Sequence, residues 1–320
     1  MNVSKLQGLN IMVTGASGLT GFPLAKALAK SNQVFGVARF GAAPDRKALE
    51  AAGVRTISLD LGSADLSSLP EKIDVIFHLG AMTGLTACRP ENRKAAFEVN
   101  VYSAGRLMSR YRDLKAFLYA GSGSAYAYQG ERPLNEDDPF GLHTGLETYA
   151  ATKIGGESLV HFLSAEWKIP SIIIRIFSLY SPRGGAITSR VDLVAAGKPV
   201  AVYPDVPNRY CPMYEDDFVE KAILAIEHAK CPAEVVNFAG SETATIEEYC
   251  EIAGRLVGKT PIFDRTGQLY PIWPDTTKMT RLLGPTRISV KEGVRRVVEA
   301  GSAARLPQWA TMMPFSSLDE

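Results

Sequence analysis

The chain has 320 residues, with 35 Lys and Arg against 34 Asp and Glu, giving a formal net charge of +1 at pH 7. That balance offers no electrostatic footprint for nucleic acid or an anionic membrane surface, so neither is an expected partner. The 46% hydrophobic content suffices for an ordinary core without a metal or disulfide staple. Cys88, Cys211, Cys231 and Cys250 are scattered with no C-x-x-C pair, which predicts a reduced, cytoplasmic protein. No His, Cys and carboxylate set has metal-ligand spacing, so no metal is expected. No apolar run approaches the ~20 residues of a membrane span, and residues 1–10 lack an apolar signal core.

Strand and helix signals alternate from the start. Leu9–Val13 is a short apolar run broken by Thr14-Gly15, and Leu19–Ala29 reads as the first helix. Buried runs at Val34–Ala38, Val54–Leu59, Val75–Leu79 and Ala116–Ala120 predict strands two to five, with a long amphipathic helix over Glu91–Tyr111. A helix over Leu146–Trp167 leads into a sixth strand, Ser171–Ile176. Continuous Val, Ile, Leu and Phe runs between helices mean strands buried on both faces. The expected fold is α/β, a doubly wound parallel Rossmann sheet of order 3-2-1-4-5-6.

Beyond residue 178 the pattern is mixed, with helices near Asp216–His228, Thr245–Val257 and Ser289–Ala300 and short strands near Val200–Tyr203 and Val235–Phe238. The expected division is a dinucleotide-binding domain at 1–178, carrying the catalytic helix, and a smaller mixed α/β substrate lobe at 179–320 covering the sheet's open edge. The tail from Gln308 to Glu320 is expected to be loosely held.

Between the first strand and first helix lies Thr14-Gly15-Ala16-Ser17-Gly18-Leu19-Thr20-Gly21. In that setting Gly15 permits a tight turn, Gly18 lets backbone approach a pyrophosphate, and Gly21 allows close packing. The helix N-terminus adds free N–H groups and the positive dipole end for phosphates. A glycine-rich turn without a ligand is the bland alternative. Binders of NAD place an acid at the end of the second strand, about 20 residues on, to grip both ribose hydroxyls. Here that strand ends in Arg39. A guanidinium suits a 2′-phosphate, so NADP is the expected cofactor, with NAD the alternative if Arg39 is only a surface residue. Asp60-Leu61, ending the third strand, is placed to flank the adenine, although an acid there also serves turns.

Tyr149 and Lys153 stand at i and i+4 on one helix face. An ammonium beside a phenol favours phenolate and draws the tyrosine toward a working pKa, making it an acid for a ketone or a base for an alcohol while hydride moves to or from nicotinamide. The spacing alone is cheap, since Tyr111 and Lys115 repeat it. That pair, at the start of the fifth strand, falls at the wrong edge of the sheet. Ser122 ends the fifth strand, and ligands bind at the carboxyl ends of strands, so its hydroxyl is expected to hold the substrate oxygen. Simple turn chemistry is the alternative for a serine there.

With these residues in view, the chain resembles the extended short-chain dehydrogenase/reductases of the epimerase/dehydratase type. The resemblance rests on residues 14–21, Asp60-Leu61, His78-Leu79-Gly80-Ala81, Asn100-Val101, Ser122 four residues before Tyr126, and Tyr149/Lys153. It implies Ser122–Tyr149–Lys153 catalysis, Gly80, Ala81 and Asn100 near the cofactor, and a homodimer through the helices Glu91–Tyr111 and Leu146–Trp167.

Departures from the family carry the substrate information. Many nucleotide-sugar members have R-x-x-N-x-Y-G-P where this chain has Arg175-Ile176-Phe177-Ser178-Leu179-Tyr180-Ser181-Pro182. The Asp-Glu pair of the dehydratases is Gly123-Ser124 here, which removes the usual acid and base of elimination. Met82, Thr83, Ser124, Tyr126, His143, Ser178 and Arg209 are expected around a small-molecule substrate. His143 is a candidate proton relay or a solvated loop histidine, and Arg209 a phosphate contact or a surface ion pair. Three functions compete: an NADP-dependent reductase or dehydrogenase interconverting a ketone and a secondary alcohol, a nucleotide-sugar epimerase with transient hydride transfer, and a non-catalytic NADP sensor. The Arg39 reading and the lost asparagine favour the first. A sensor has no use for a tuned phenol.

Overall fold

The computed structural model describes residues 6–41 and 43–306. The tail Gln308–Glu320 lies outside them. Seven strands form the central sheet: β1 (Asn10–Thr14), β2 (Gln33–Ala38), β3 (Arg55–Ser58), β4 (Val75–His78), β5 (Ala116–Ser122), β6 (Ser171–Ile176) and β7 (Glu234–Phe238). Their order is 3-2-1-4-5-6-7, and every neighbouring pair is parallel. The expected order holds, with one addition. Glu234–Phe238 pairs with β6 and completes the large sheet instead of belonging to the lobe. A cut at residue 178 would therefore take a strand from the Rossmann domain.

Besides a short helical turn at Gly84–Cys88, the main helices are α1 (Gly21–Leu28), α2 (Ala43–Ala51), α3 (Arg93–Phe97, a π turn at Glu98–Tyr102, then Ser103–Arg110), α4 (Glu147–Trp167), α5 (Ala186–Ala196), α6 (Glu215–Ala225), α7 (Ile246–Val257), α8 (Thr277–Leu283) and α9 (Val290–Ala300). Alternation along β1 explains the two-layer wrapping. Ile11 and Val13 face a core with Leu24 and Leu28 of α1 and Phe218 and Ala222 of α6, whereas Met12 faces Leu107 and Met108 of α3 and Val160 and Leu163 of α4. A separate apolar cluster of Val191, Tyr249 and Val294 holds α5, α7 and α9 together as the smaller lobe. Among the described residues no helix is long and apolar enough to cross a membrane, and no His, Cys and carboxylate group could hold a metal. All four cysteines are free thiols.

One close approach decides how the site is built. Glycine in mid-helix costs ~1 kcal/mol against alanine, yet α4 contains Gly156. A Cβ there would lie 2.0 Å from the Tyr119 hydroxyl and 2.5 Å from the Asn100 carbonyl. The glycine lets α4 press onto β5 and onto the π turn of α3. Tyr119 completes the contact by donating to the Asn100 carbonyl at 2.9 Å.

Candidate active site

The loop after β1 meets the loop after β4 at two glycines. Gly15 has φ +68°, and a Cβ on it would sit 2.7 Å from the Gly80 Cα. Gly18 donates to the Gly15 carbonyl at 2.8 Å, curling residues 15–18 below the start of α1. No side chain caps α1 at Thr20, and in its first turn the Phe22 N–H donates to the Gly18 carbonyl at 3.1 Å, which leaves the helix dipole pointing its positive end at the loop. Ser17, Leu19 and Thr20 are half-buried around this turn, with Gly21 beneath. This cradle fits a dinucleotide pyrophosphate. Leu61 is buried under Gly80, and Ala81 is half-buried beside it. Asp60 is exposed and accepts the Gly62 N–H at 2.8 Å, so its carboxylate serves the turn. Arg39 is exposed immediately past β2.

A buried polar wire braces the cradle from below. The Gly80 N–H donates to the Thr14 hydroxyl at 3.1 Å, which lies 2.8 Å from His78 Nδ1. His78 Nε2 is 3.0 Å from the Ser103 hydroxyl, which donates to the Val99 carbonyl. Since Thr14 already accepts from Gly80 and Ser103 donates to Val99, one assignment satisfies every group. Thr14 donates to Nδ1, and Nε2–H donates to Ser103. The imidazole must then be neutral. Burial drives its pKa from 6.5 to about 3, with the Lys153 charge adding to the effect. The carbonyl it reaches through Ser103 lies in the π turn, where helical bonding is loosened.

Ser122, Tyr149 and Lys153 meet at the carboxyl end of β5. Ser122 ends the strand with its hydroxyl 2.9 Å from that of Ser124, whose N–H also points to it at 3.2 Å. Tyr149 lies in the first turn of α4, half-buried. Lys153, one turn on, is buried and donates to the Ala120 carbonyl at 2.8 Å. Its Nζ is 5.9 Å from the Tyr149 ring centre. The expected depression of the phenol is corrected by this geometry. Burial raises the Tyr149 pKa, and the Ser122 hydroxyl is what pulls it back. Lys153 itself loses solvent, which lowers its pKa to about 7. Near neutral pH its ammonium is thus only partly present, which makes it a weak stabiliser of phenolate. Tyr111 and Lys115 are elsewhere, bonded to the Pro70 carbonyl at 2.6 Å and Asp74 at 3.0 Å.

Several expected contacts are not free to meet a ligand. Asn100 is buried, accepting the Met82 N–H at 2.8 Å and donating to the Met82 carbonyl and the Thr152 hydroxyl, both at 2.9 Å. Its amide positions the loop after β4 beside the glycine cradle, with its oxygen and nitrogen both engaged by the protein. Tyr126 is wholly buried. Its hydroxyl donates to Asn237 at 2.6 Å and accepts from Arg175 at 2.6 Å, so it is a core residue and not a cleft residue. His143 is 5% exposed and stacked on Tyr270 at 4.2 Å, with Nδ1 3.1 Å from the Thr144 carbonyl and Nε2 3.1 Å from the Tyr270 carbonyl. That packing removes both a solvated role and a relay to the cleft, and burial lowers its pKa. Met82 and Ser178 are half-buried and Thr83 is exposed. Arg209 pairs with Glu131 at 3.5 Å on the surface.

Sequence reasoning missed the ion pair behind α4. Glu157 follows Lys153 by one turn and receives Arg175 Nε at 3.1 Å and Nη2 at 2.6 Å, both residues being buried. Arg175 Nη1 also donates to the Glu136 carbonyl at 2.9 Å. The signal was the i, i+4, i+8 register of Tyr149, Lys153 and Glu157 on one helix face.

Glycine cradle, parallel sheet and the Ser–Tyr–Lys set define an enzyme of the extended short-chain dehydrogenase/reductase class. The chain belongs to the NAD dependent epimerase/dehydratase family, whose model matches residues 11–239. It is 26% identical to an uncharacterized UDP-glucose epimerase of Bacillus subtilis, over 89% of this chain and 96% of that one. It is likewise 26% identical to a UDP-glucuronate 4-epimerase of Thermodesulfobacterium geofontis, over 90% and 94%. The crystal structure of a UDP-glucuronic acid 4-epimerase from Bacillus cereus with UDP-glucuronic acid and NAD superposes with a TM-score of 0.80 at 25% identity, covering 92% of this chain and 100% of that one.

Proposed function

We propose that the protein is a nucleotide-sugar 4-epimerase acting on a UDP-hexose or UDP-hexuronate. The observation that carries the reading is the convergence of Ser122, Tyr149 and Lys153 beside the glycine cradle, in a chain similar over nine-tenths of its length to a UDP-glucuronate 4-epimerase. Bound dinucleotide supplies the hydride acceptor and donor. Tyr149 removes the proton from the sugar C4 hydroxyl and returns it after the keto sugar has presented its other face. Ser122, aligned by Ser124, holds the reacting oxygen. Lys153, fixed by the Ala120 carbonyl, supplies the neighbouring charge. Arg209, Ser178, Met82 and Thr83 are the proposed substrate contacts. Exposed Phe97 and Tyr102 on α3 and Phe162 on α4 support the proposal of a homodimer through those helices. Four unpaired thiols support a reducing, cytoplasmic setting.

Similarity to 4-epimerases supports this reading over net ketone–alcohol interconversion, which the sequence alone favoured. One observation favours that second reading: β2, the strand expected to meet the adenosine ribose, is followed directly by Arg39 with no acid beside it in sequence, as suits NADP exchanged with solution. Incubation with UDP-glucose and UDP-glucuronate separates the two. Epimer formation without net change in reduced-nicotinamide absorbance is expected, and Tyr149→Phe should slow it by about 10²–10⁴-fold. Stoichiometric consumption of added NADPH, or full activity of the variant, would reject the epimerase mechanism.

A further inference from the structure

Arg183 leaves the turn between β6 and the smaller lobe on a backbone held at several points. Ser181 and Gly184 exchange two backbone hydrogen bonds at 2.9 and 3.1 Å, and the Arg183 N–H donates to the Ser181 hydroxyl at 3.0 Å. Arg305 donates to the Pro182 carbonyl at 2.6 Å, and the Leu306 N–H to the Arg183 carbonyl at 2.8 Å. With its base fixed, the side chain reaches back onto the Rossmann domain. The guanidinium lies 4.0 Å from the centre of the Phe22 ring, in the first turn of α1. Nη2 is 3.4 Å from the Ser17 carbonyl in the glycine loop and 3.1 Å from the Asp45 carboxylate in the first turn of α2.

These two attachment points matter together. The β1–α1 loop is the one that holds a pyrophosphate, and the β2–α2 connection is the one that meets the adenosine ribose. A single cation from the lobe ties both. Arg183 Nε is also buried with no acceptor among the described residues, a donor that a phosphate or ribose oxygen would satisfy. We propose that the Arg183–Asp45 bridge is a latch that retains the dinucleotide, with Arg183 as a cofactor-holding residue that takes no part in proton transfer. The proposal rests on the dinucleotide reading of the cradle. It gives an epimerase what its cycle requires, a cofactor that stays long enough to return its hydride to the same sugar.

The test is the rate at which bound NADH and NADPH leave the protein, followed by fluorescence on displacement with excess oxidised cofactor. Arg183→Met keeps an unbranched apolar stem against Phe22 but removes every donor, and Asp45→Asn removes the charge of the partner alone. Each should speed release by at least about tenfold, the worth of one charge-assisted hydrogen bond, with thermal unfolding of the cofactor-free variants near that of wild type. Arg183→Lys should recover part of the retention. Release rates within twofold of wild type in both neutralising variants would overturn the latch while leaving the site intact. A wild-type protein that binds neither dinucleotide would overturn the site reading and the latch with it.

Discussion

Acid should destabilise this protein through His78, and the size of the effect follows from its surroundings. The imidazole is 1% exposed, and burial holds its pKa at about 3 against an ordinary 6.5. Below pH 6.5 the unfolded chain binds a proton that the folded one refuses. Stability from this residue is therefore complete above 6.5 and lost progressively as pH falls toward 3. Each pH unit well inside that window costs ~1.4 kcal/mol, so going from pH 7 to pH 5 costs about 2 kcal/mol from His78 alone. Urea unfolding of wild type and His78→Gln at both pH values isolates the term, because paired carboxylates contribute equally to both proteins. Wild type should lose about 2 kcal/mol more than the variant. Dinucleotide affinity of the folded protein should be unchanged by this residue over the same range, because the folded imidazole stays neutral well above pH 3. Equal losses in the two proteins would refute the neutral, fixed tautomer.

Glu157→Gln leaves the Arg175 charge buried without its counter-ion and should cost about 3–5 kcal/mol in denaturant unfolding. The double variant Glu157→Gln/Arg175→Met should recover most of that loss, and failure to recover would mean that the pair does more than neutralise itself. Arg39→Ala should weaken NADPH by about tenfold and leave NADH unchanged in equilibrium titration. Equal weakening of both cofactors would remove Arg39 as a reader of the 2′-phosphate.

The central sheet was legible because strands such as Ile11–Val13 and Val75–Phe77 are buried on both faces and read as unbroken apolar runs. The Ser122–Tyr149–Lys153 set was legible because two of its members share a helix face and the third ends a strand. What stayed hidden depends on partners far away in sequence. Tyr126 looks like a cleft residue until Arg175, 49 positions on, claims its hydroxyl. His143 looks like a loop histidine until Tyr270, 127 positions on, covers it. A strand pattern at 234–238 says nothing about which sheet it joins, so its place beside β6 could not be read locally. The π turn at Glu98–Tyr102 has no local signature either. It is fixed by the Asn100, Tyr119 and Ser103 contacts that converge there.

The late arrival of β7 has a consequence for biosynthesis. Until residue 238 has left the ribosome, β6 is the rim of the sheet, with Ile172, Ile173 and Ile174 in a strand paired on one side only. Arg175 would also wait, since the Tyr126 hydroxyl it supports is anchored by Asn237 on that last strand. The nascent chain must therefore keep an adhesive border from self-association while some sixty further residues are added. Truncations that stop near residue 178 should accumulate as insoluble protein instead of a free-standing nucleotide-binding half.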